Sequence, residues 1–185
     1  RGLVFAVLEL ADRLKYGSSL DVKSPIIEKP ANTVRSCARC FVSDVEDKSW
    51  FYDRELWGEY LTTLATHRFS RFNLTLGVGY NGNNNIPDSY FYFPYPFLLA
   101  VPGYDVTAVG LPNSERDRNM EMLKFICEQT VARGLQFNRA LWSHAYQWPN
   151  ADTKDNIAGV TDEKHAAYCR DCLSAVLKAC PGITG

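Results

Sequence analysis

The stretch LWGEYLTTLATHRFSRFNLTLG, residues 56–77, changes its period part-way along. Leu56, Tyr60, Leu61 and Leu64 recur at the spacing that gathers apolar side chains on one face of a helix. Asp53 stands just ahead of them as a natural N-cap, so a helix is predicted over about 53–67. Only Arg68, Phe69 and Ser70 separate it from Arg71–Leu76, which reads as a strand carrying Asn73 and Thr75.

The same alternation extends in both directions. Upstream, Ser36–Ser43 is a predicted strand. Downstream, a helix is expected over about 115–133, with Ser114 and Asp117 in capping-box spacing and Gly134 ending it. A strand over Leu135–Trp142 follows, then a helix over about 162–179 capped by Thr161. Strands alternating with helices predict a parallel sheet with crossover connections. At the front of the chain Val4, Val7, Leu8, Ala11 and Leu14 mark another amphipathic helix, with Gly17 as its C-cap. Residues 17–33 are rich in turn formers and read as a connection. The expected fold class is α/β: the first three βα units of a TIM (β/α) barrel, preceded by the last helix of a small α/β domain. The expected organisation is 1–17 as that helix, 18–33 as linker and 34–185 as barrel. A full barrel usually needs about 250 residues, so both ends are expected to be cut, and Pro181–Gly185 is expected to lead into another strand.

Loop lengths suggest a working face. Links from helix to strand are short, whereas those from strand to helix run roughly over 77–114 and 143–161. In a parallel βα array the long loops gather at the strands' C-terminal ends, where barrel enzymes build their sites. The composition fits a globular chain, with 46% hydrophobic and 22% charged residues. A net charge of -1 offers no electrostatic case for nucleic acid or an anionic membrane. No run of about 20 apolar residues could span a bilayer.

Two groups of residues suggest chemistry. Residues 80–104 hold Tyr80, Tyr90, Phe91, Tyr92, Phe93, Tyr95, Phe97 and Tyr104, mixed with Asn81, Asn83, Asn84, Asn85 and Asp88. Aromatic faces stack on the C–H face of a sugar ring while amides and carboxylates bond its hydroxyls. Any one of these aromatics could instead pack beneath the loop. The second group lies at strand ends: Asp44, Glu46 and Asp47 after the first strand, Asn73 and Thr75 on the second, His144, Tyr146 and Gln147 after the third. The expected substrate-binding set is Arg39, Asp44, Asn73, Tyr80, His144, Tyr146 and Gln147, with no catalytic residue assigned. Arg39 sits early in its strand and could instead pair with Asp44 or Glu46. His67 and His165 are read as structural.

The cysteines form two C-x-x-C pairs, Cys37–Cys40 and Cys169–Cys172, a spacing found in zinc sites. However, Cys169, Cys172 and Cys180 fall on the apolar stripe of the last helix, and Cys37 and Cys40, if both lie in a strand, point to opposite faces. No metal, cofactor or disulfide between the pairs is expected.

RGLVFAVLELADRL (1–14) resembles the last helix of the small α/β domain that precedes the barrel in β-hexosaminidase-like and α-glucuronidase-like glycoside hydrolases. Arg39-Cys-Phe-Val-Ser-Asp44 is similar to the hexosaminidase first strand, with Cys40 where that family has Gly. Residues 56–77 and 116–144 resemble the next helix–strand pairs, the latter ending in His144. The hexosaminidase second strand ends in an acidic motif containing Trp; here Leu76-Gly-Val-Gly-Tyr80 stands instead, which favours the α-glucuronidase-like relatives or a sister group. The resemblance implies an oligosaccharide or glycoside ligand. It also implies a general acid at the end of the fourth strand or later, so the main catalytic carboxylates are not expected within these residues. A non-catalytic carbohydrate-binding barrel and a metal-dependent barrel isomerase or lyase using His144 are the alternatives.

Overall fold

The computed structural model describes residues 2–21, 24–27, 29–77, 90–141 and 157–185. Three strands, β1 (Ser36–Phe41), β2 (Arg71–Leu76) and β4 (Gln136–Leu141), form one parallel sheet in that order. The register is continuous: Ala38, Asn73 and Asn138 stand side by side, as do Arg39, Leu74 and Arg139. After Cys180 the chain comes alongside β4. Ile183 bridges to Phe137 in parallel, Thr184 N–H donates to the Phe137 carbonyl at 2.8 Å, and Arg139 N–H to that of Gly185 at 2.8 Å.

The longer helices pack on one face of this sheet. Phe41, Phe72, Leu74, Leu76 and Phe137 share a core with Trp57, Leu61 and Leu64 of α3 (Arg54–Thr66), with Met122, Leu123, Ile126 and Cys127 of α5 (Asn113–Ala132), and with Val176 of α6 (Asp162–Ala179). The residues alternating with them are small or polar. Ser36, Ala38, Cys40, Gln136 and Ala140 are exposed, and Arg71, Asn73, Thr75 and Asn138 half-buried. Arg71 donates from Nε and Nη2 to Gln136 Oε1 across this face, at 3.2 and 3.1 Å. The described residues contain no closed barrel.

Local chemistry accounts for the helix boundaries. Asp53 accepts from Leu56 N–H at 2.9 Å and starts α3 as expected. Arg68 and Gly134 take positive φ (65° and 73°), reversing the chain just before β2 and β4. The cap expected at Ser114 is not used: α5 starts at Asn113 behind Pro112, whose ring fixes φ at -62°. Thr161 occupies the N-cap of α6, and its side chain bonds the Glu163 carboxylate instead of capping a backbone N–H. Three elements were not anticipated. These are α2 (Asp44–Phe51), α4 (Tyr95–Leu98), and an antiparallel ribbon of β3 (Thr107–Ala108) with β5 (Ile157–Ala158). Glu9 of α1 (Gly2–Lys15) pairs with Arg13 of the same helix at 3.0 Å and with Arg68 at 3.4 Å, and Val4, Phe5 and Leu8 line a cavity with Ala65, Phe69 and Ala132.

Candidate functional site

The C-terminal ends of the parallel strands are where the expected site residues were placed. Beyond β1, Ser43 caps α2 and Asp44 begins it. Asp44 is half-buried, with a carboxylate oxygen 3.5 Å from Lys48 Nζ. Asp47 has a structural task. Its Oδ2 accepts from the backbone N–H groups of Val42 and Ser43 at 2.6 and 2.8 Å, and its Oδ1 from Trp50 Nε1 at 2.7 Å. It therefore fixes the turn that carries Asp44.

Asn73 and Thr75 lie on the helix-free face, each between residues no larger than asparagine: Ala38 and Asn138 beside Asn73, Cys40 and Ala140 beside Thr75. Both are half-buried there. Tyr80, His144, Tyr146 and Gln147 lie outside the described residues.

Arg39 requires a correction. Strand alternation sends it to the helix-facing side with Leu74, opposite Asn73. Its guanidinium lies 4.1 Å from the centre of the Trp50 ring and 5.5 Å from that of Tyr60, and its buried Nε has no hydrogen-bond partner. Arg39 is a cation–π packing residue of the outer layer. It neither joins Asn73 around a cavity nor pairs with Asp44 or Glu46.

The aromatic stretch requires a second correction. Tyr90, Phe91, Phe93, Tyr95 and Phe97 are all buried. Phe91 meets Phe41 edge-to-face at 4.9 Å, and Tyr90 stacks on Phe41 at 5.5 Å. Phe93 and Tyr95 form a second core with Tyr168 and Cys172 of α6. These rings complete the helix layer; they do not roof a ligand cavity. Gly77 makes the packing possible. It has φ 71°, and a β-carbon there would collide with the carbonyl oxygen of Phe91.

Sequence reasoning missed a polar network behind this wall. Asn119 is fully buried on α5 and donates from Nδ2 to Tyr90 Oη at 2.7 Å and to the Phe97 carbonyl at 2.9 Å, while accepting from Tyr52. Tyr90 donates to Glu115 at 2.7 Å, and Lys48 pairs with Glu115 at 2.9 Å while standing 4.2 Å over the Tyr90 ring. Burial works against the Glu115 charge, but the hydrogen bonds from Lys48 and Tyr90 outweigh it and hold the carboxyl below its ordinary range. Burial likewise opposes the Lys48 charge and is outweighed by Glu115 and Asp44, so the ammonium is held more firmly than usual. Burial drives the Tyr90 phenol far above its ordinary value. A paired glutamate and a phenol that does not ionise are poorly suited to proton transfer. The network joins α2, α5 and the 90–98 segment. An available signal was Asn119 three residues ahead of Met122, on the apolar side of its helix.

Arg139 is another buried cation on the helix-facing side. Its Nε and Nη2 have no hydrogen-bond partner, and burial lowers its pKa to about 10. Among the described residues no group of three or more His, Cys, Asp or Glu could hold a metal. Cys37 turns toward the helices, 3.3 Å from Tyr60 Oη, while Cys40 is exposed on the other face.

No protein-family model and no curated protein matches the chain. Among solved structures it is similar to a GH138 enzyme targeting pectin rhamnogalacturonan II, at 19% identity and a TM-score of 0.65. The match covers 98% of this chain and 21% of that enzyme, so the chain spans about a fifth of its length. The chain thus shares its α/β fold with part of a glycoside hydrolase, and that enzyme is not of the β-hexosaminidase or α-glucuronidase type expected from the sequence.

Proposed function

We propose that the chain is part of a carbohydrate-active glycoside hydrolase, forming three βα units of a (β/α)8 barrel and contributing saccharide-binding residues at the strands' C-terminal ends. The observation that carries this reading is the fold match over 98% of the chain to an enzyme of that class. The arrangement of the sheet supports the barrel assignment. Open parallel sheets are ordinarily covered on both faces, whereas a barrel wall has helices outside and side chains filling its interior. Here the helices cover one face, and Asn73, Thr75 and Asn138 stand on the other. The pairing of Ile183 with Phe137 supports continuation of the same parallel sheet beyond β4.

In this reading Asp44, Asn73, Tyr80, His144, Tyr146 and Gln147 serve a saccharide, and Arg39 does not. Asp44 and Asn73 would accept from or donate to sugar hydroxyls. Glycoside hydrolysis ordinarily uses two carboxyl groups on either side of the scissile bond, and Asp44 and Asp47 are not that pair, because Asp47 is committed to the turn after β1. In this reading the main catalytic carboxylates belong to other βα units, as the resemblance to glycoside hydrolases implies.

A fold does not fix its chemistry, so the test is functional. In the whole enzyme, His144→Ala and Asn73→Ala are each expected to lower kcat/KM on a pectic oligosaccharide more than tenfold, about 1.4 kcal/mol, without changing the circular dichroism spectrum. Arg39→Met should leave kcat/KM within about twofold, well under 1.4 kcal/mol. Unchanged kinetics in both His144→Ala and Asn73→Ala would remove the strand-end face from the substrate site.

A further inference from the structure

Two of the six cysteines lie together in the main core, apart from both C-x-x-C pairs. Cys127, on the sheet-facing side of α5, is 3% exposed; Cys180, at the C-cap of α6, is 1% exposed. Both belong to one buried core cluster, and Cys180 lies two residues before Gly182, which packs against Cys127 Sγ. The chain around Cys180 is drawn tightly onto α5, because a β-carbon on Gly182 would come within 2.9 Å of Cys127 Sγ and 2.6 Å of Val131 Cγ2. Glycine at 182 is what lets the turn after α6 approach so closely. The same turn leads into the pairing of Ile183 with Phe137.

We propose that Cys127 and Cys180 form a disulfide when the protein folds in the presence of a small-molecule disulfide, tying α5 to the turn that leads from α6 back to the sheet. The Cys127 thiolate attacks one sulfur of the external disulfide, whose S–S bond breaks and releases one thiolate. Cys180 then loses its proton to solvent and attacks Cys127 Sγ, expelling the second thiolate. Two protein thiols are oxidised, and one external disulfide is reduced to two thiols.

In the closed core a hydrogen bond from Cys180 holds the Cys127 thiol below its ordinary value against burial, and the Cys180 thiol is held above its own. Of the cysteines in the C-x-x-C pairs, Cys169 and Cys172 are held protonated by burial. The Cys127–Cys180 bond is formed while the turn after α6 is open, during folding or local unfolding, because both sulfurs are enclosed in the native core.

The test is refolding of the protein in a buffer of reduced and oxidised glutathione, followed by thiol counting and non-reducing peptide mapping. Six free thiols should become four, the mass should fall by two hydrogens, and the cross-linked peptides should contain Cys127 and Cys180. The oxidised form should melt at a higher temperature than the reduced form, because the bond closes a long loop of the unfolded chain. Cys127→Ser, with an unchanged circular dichroism spectrum, should retain all five of its remaining thiols. Retention of all six thiols in the unmodified protein after refolding would overturn the proposal, as would a bond mapped to any other pair or a bond that still forms in the Cys127→Ser variant.

Discussion

Gly77 and Glu115 are single residues on which the packing around the strand ends depends. Gly77 holds a left-handed conformation against the backbone of Phe91. Gly77→Ala should cost at least about 1–2 kcal/mol from conformation alone, before the collision is counted, and a urea unfolding midpoint equal to that of the parent would show the contact to be dispensable. Glu115 contributes differently. Its carboxyl is held below its ordinary value, so its contribution to stability is complete above that value and is lost as pH falls through the lowered one. Lys48, held above its ordinary value, contributes fully below that value and loses its contribution as pH rises through the raised one. Thermal melts should therefore fall at both extremes, and Glu115→Gln should flatten the acid side; an identical acid slope in the variant would mean that the pair contributes nothing. Asn119, the hub of the same network, was hard to find in the sequence. Its spacing from Met122 puts it on the apolar side of α5, but spacing does not name its partners, which only the folded neighbours reveal.

Among the elements, all three parallel strands were legible, to within two residues at each end, because apolar residues alternating with small or polar ones are a strand signal. The helices α3, α5 and α6 were legible through their apolar stripes. The missed α2 had a signal of its own: Ser43-Asp-Val-Glu46 is a capping-box pattern, and Ser43 Oγ accepts from Glu46 N–H at 3.5 Å. It was passed over because DVEDKSWF is too short and too charged to show a period. The aromatic segment was misread for a different reason. Rings that stack on a sugar and rings that fill a core have the same composition, and only the folded contacts, such as Phe91 on Phe41 and against Gly77, tell them apart. Stability separates the two roles directly. Phe93→Ala should cost about 3–5 kcal/mol, as a fully buried ring does, measured by chemical denaturation. A change under about 1 kcal/mol would return Phe93 to the ligand-binding candidates.

At the scale of the whole molecule, the parallel βα alternation was legible because it repeats. The faces were not all legible: Arg39 and Asn73 lie on opposite sides of the sheet, a distinction that register settles and composition does not. The account holds that these residues provide part of a saccharide site without the general acid. A leaving alkoxide departs very slowly unless it is protonated, and stacking or hydroxyl contacts cannot substitute for that proton. Among the described residues β1 has an unpaired outer edge, which favours association of the isolated chain. The most direct measurement is an assay of the purified 185-residue chain on chromogenic glycosides and uronides, with saccharide binding followed by calorimetry on the same sample. The account predicts no turnover above the uncatalysed rate, with any saccharide binding weakened by Asn73→Ala. Turnover proportional to chain concentration and abolished by Asp44→Asn would contradict it, because the chain would then carry its own catalytic carboxylate.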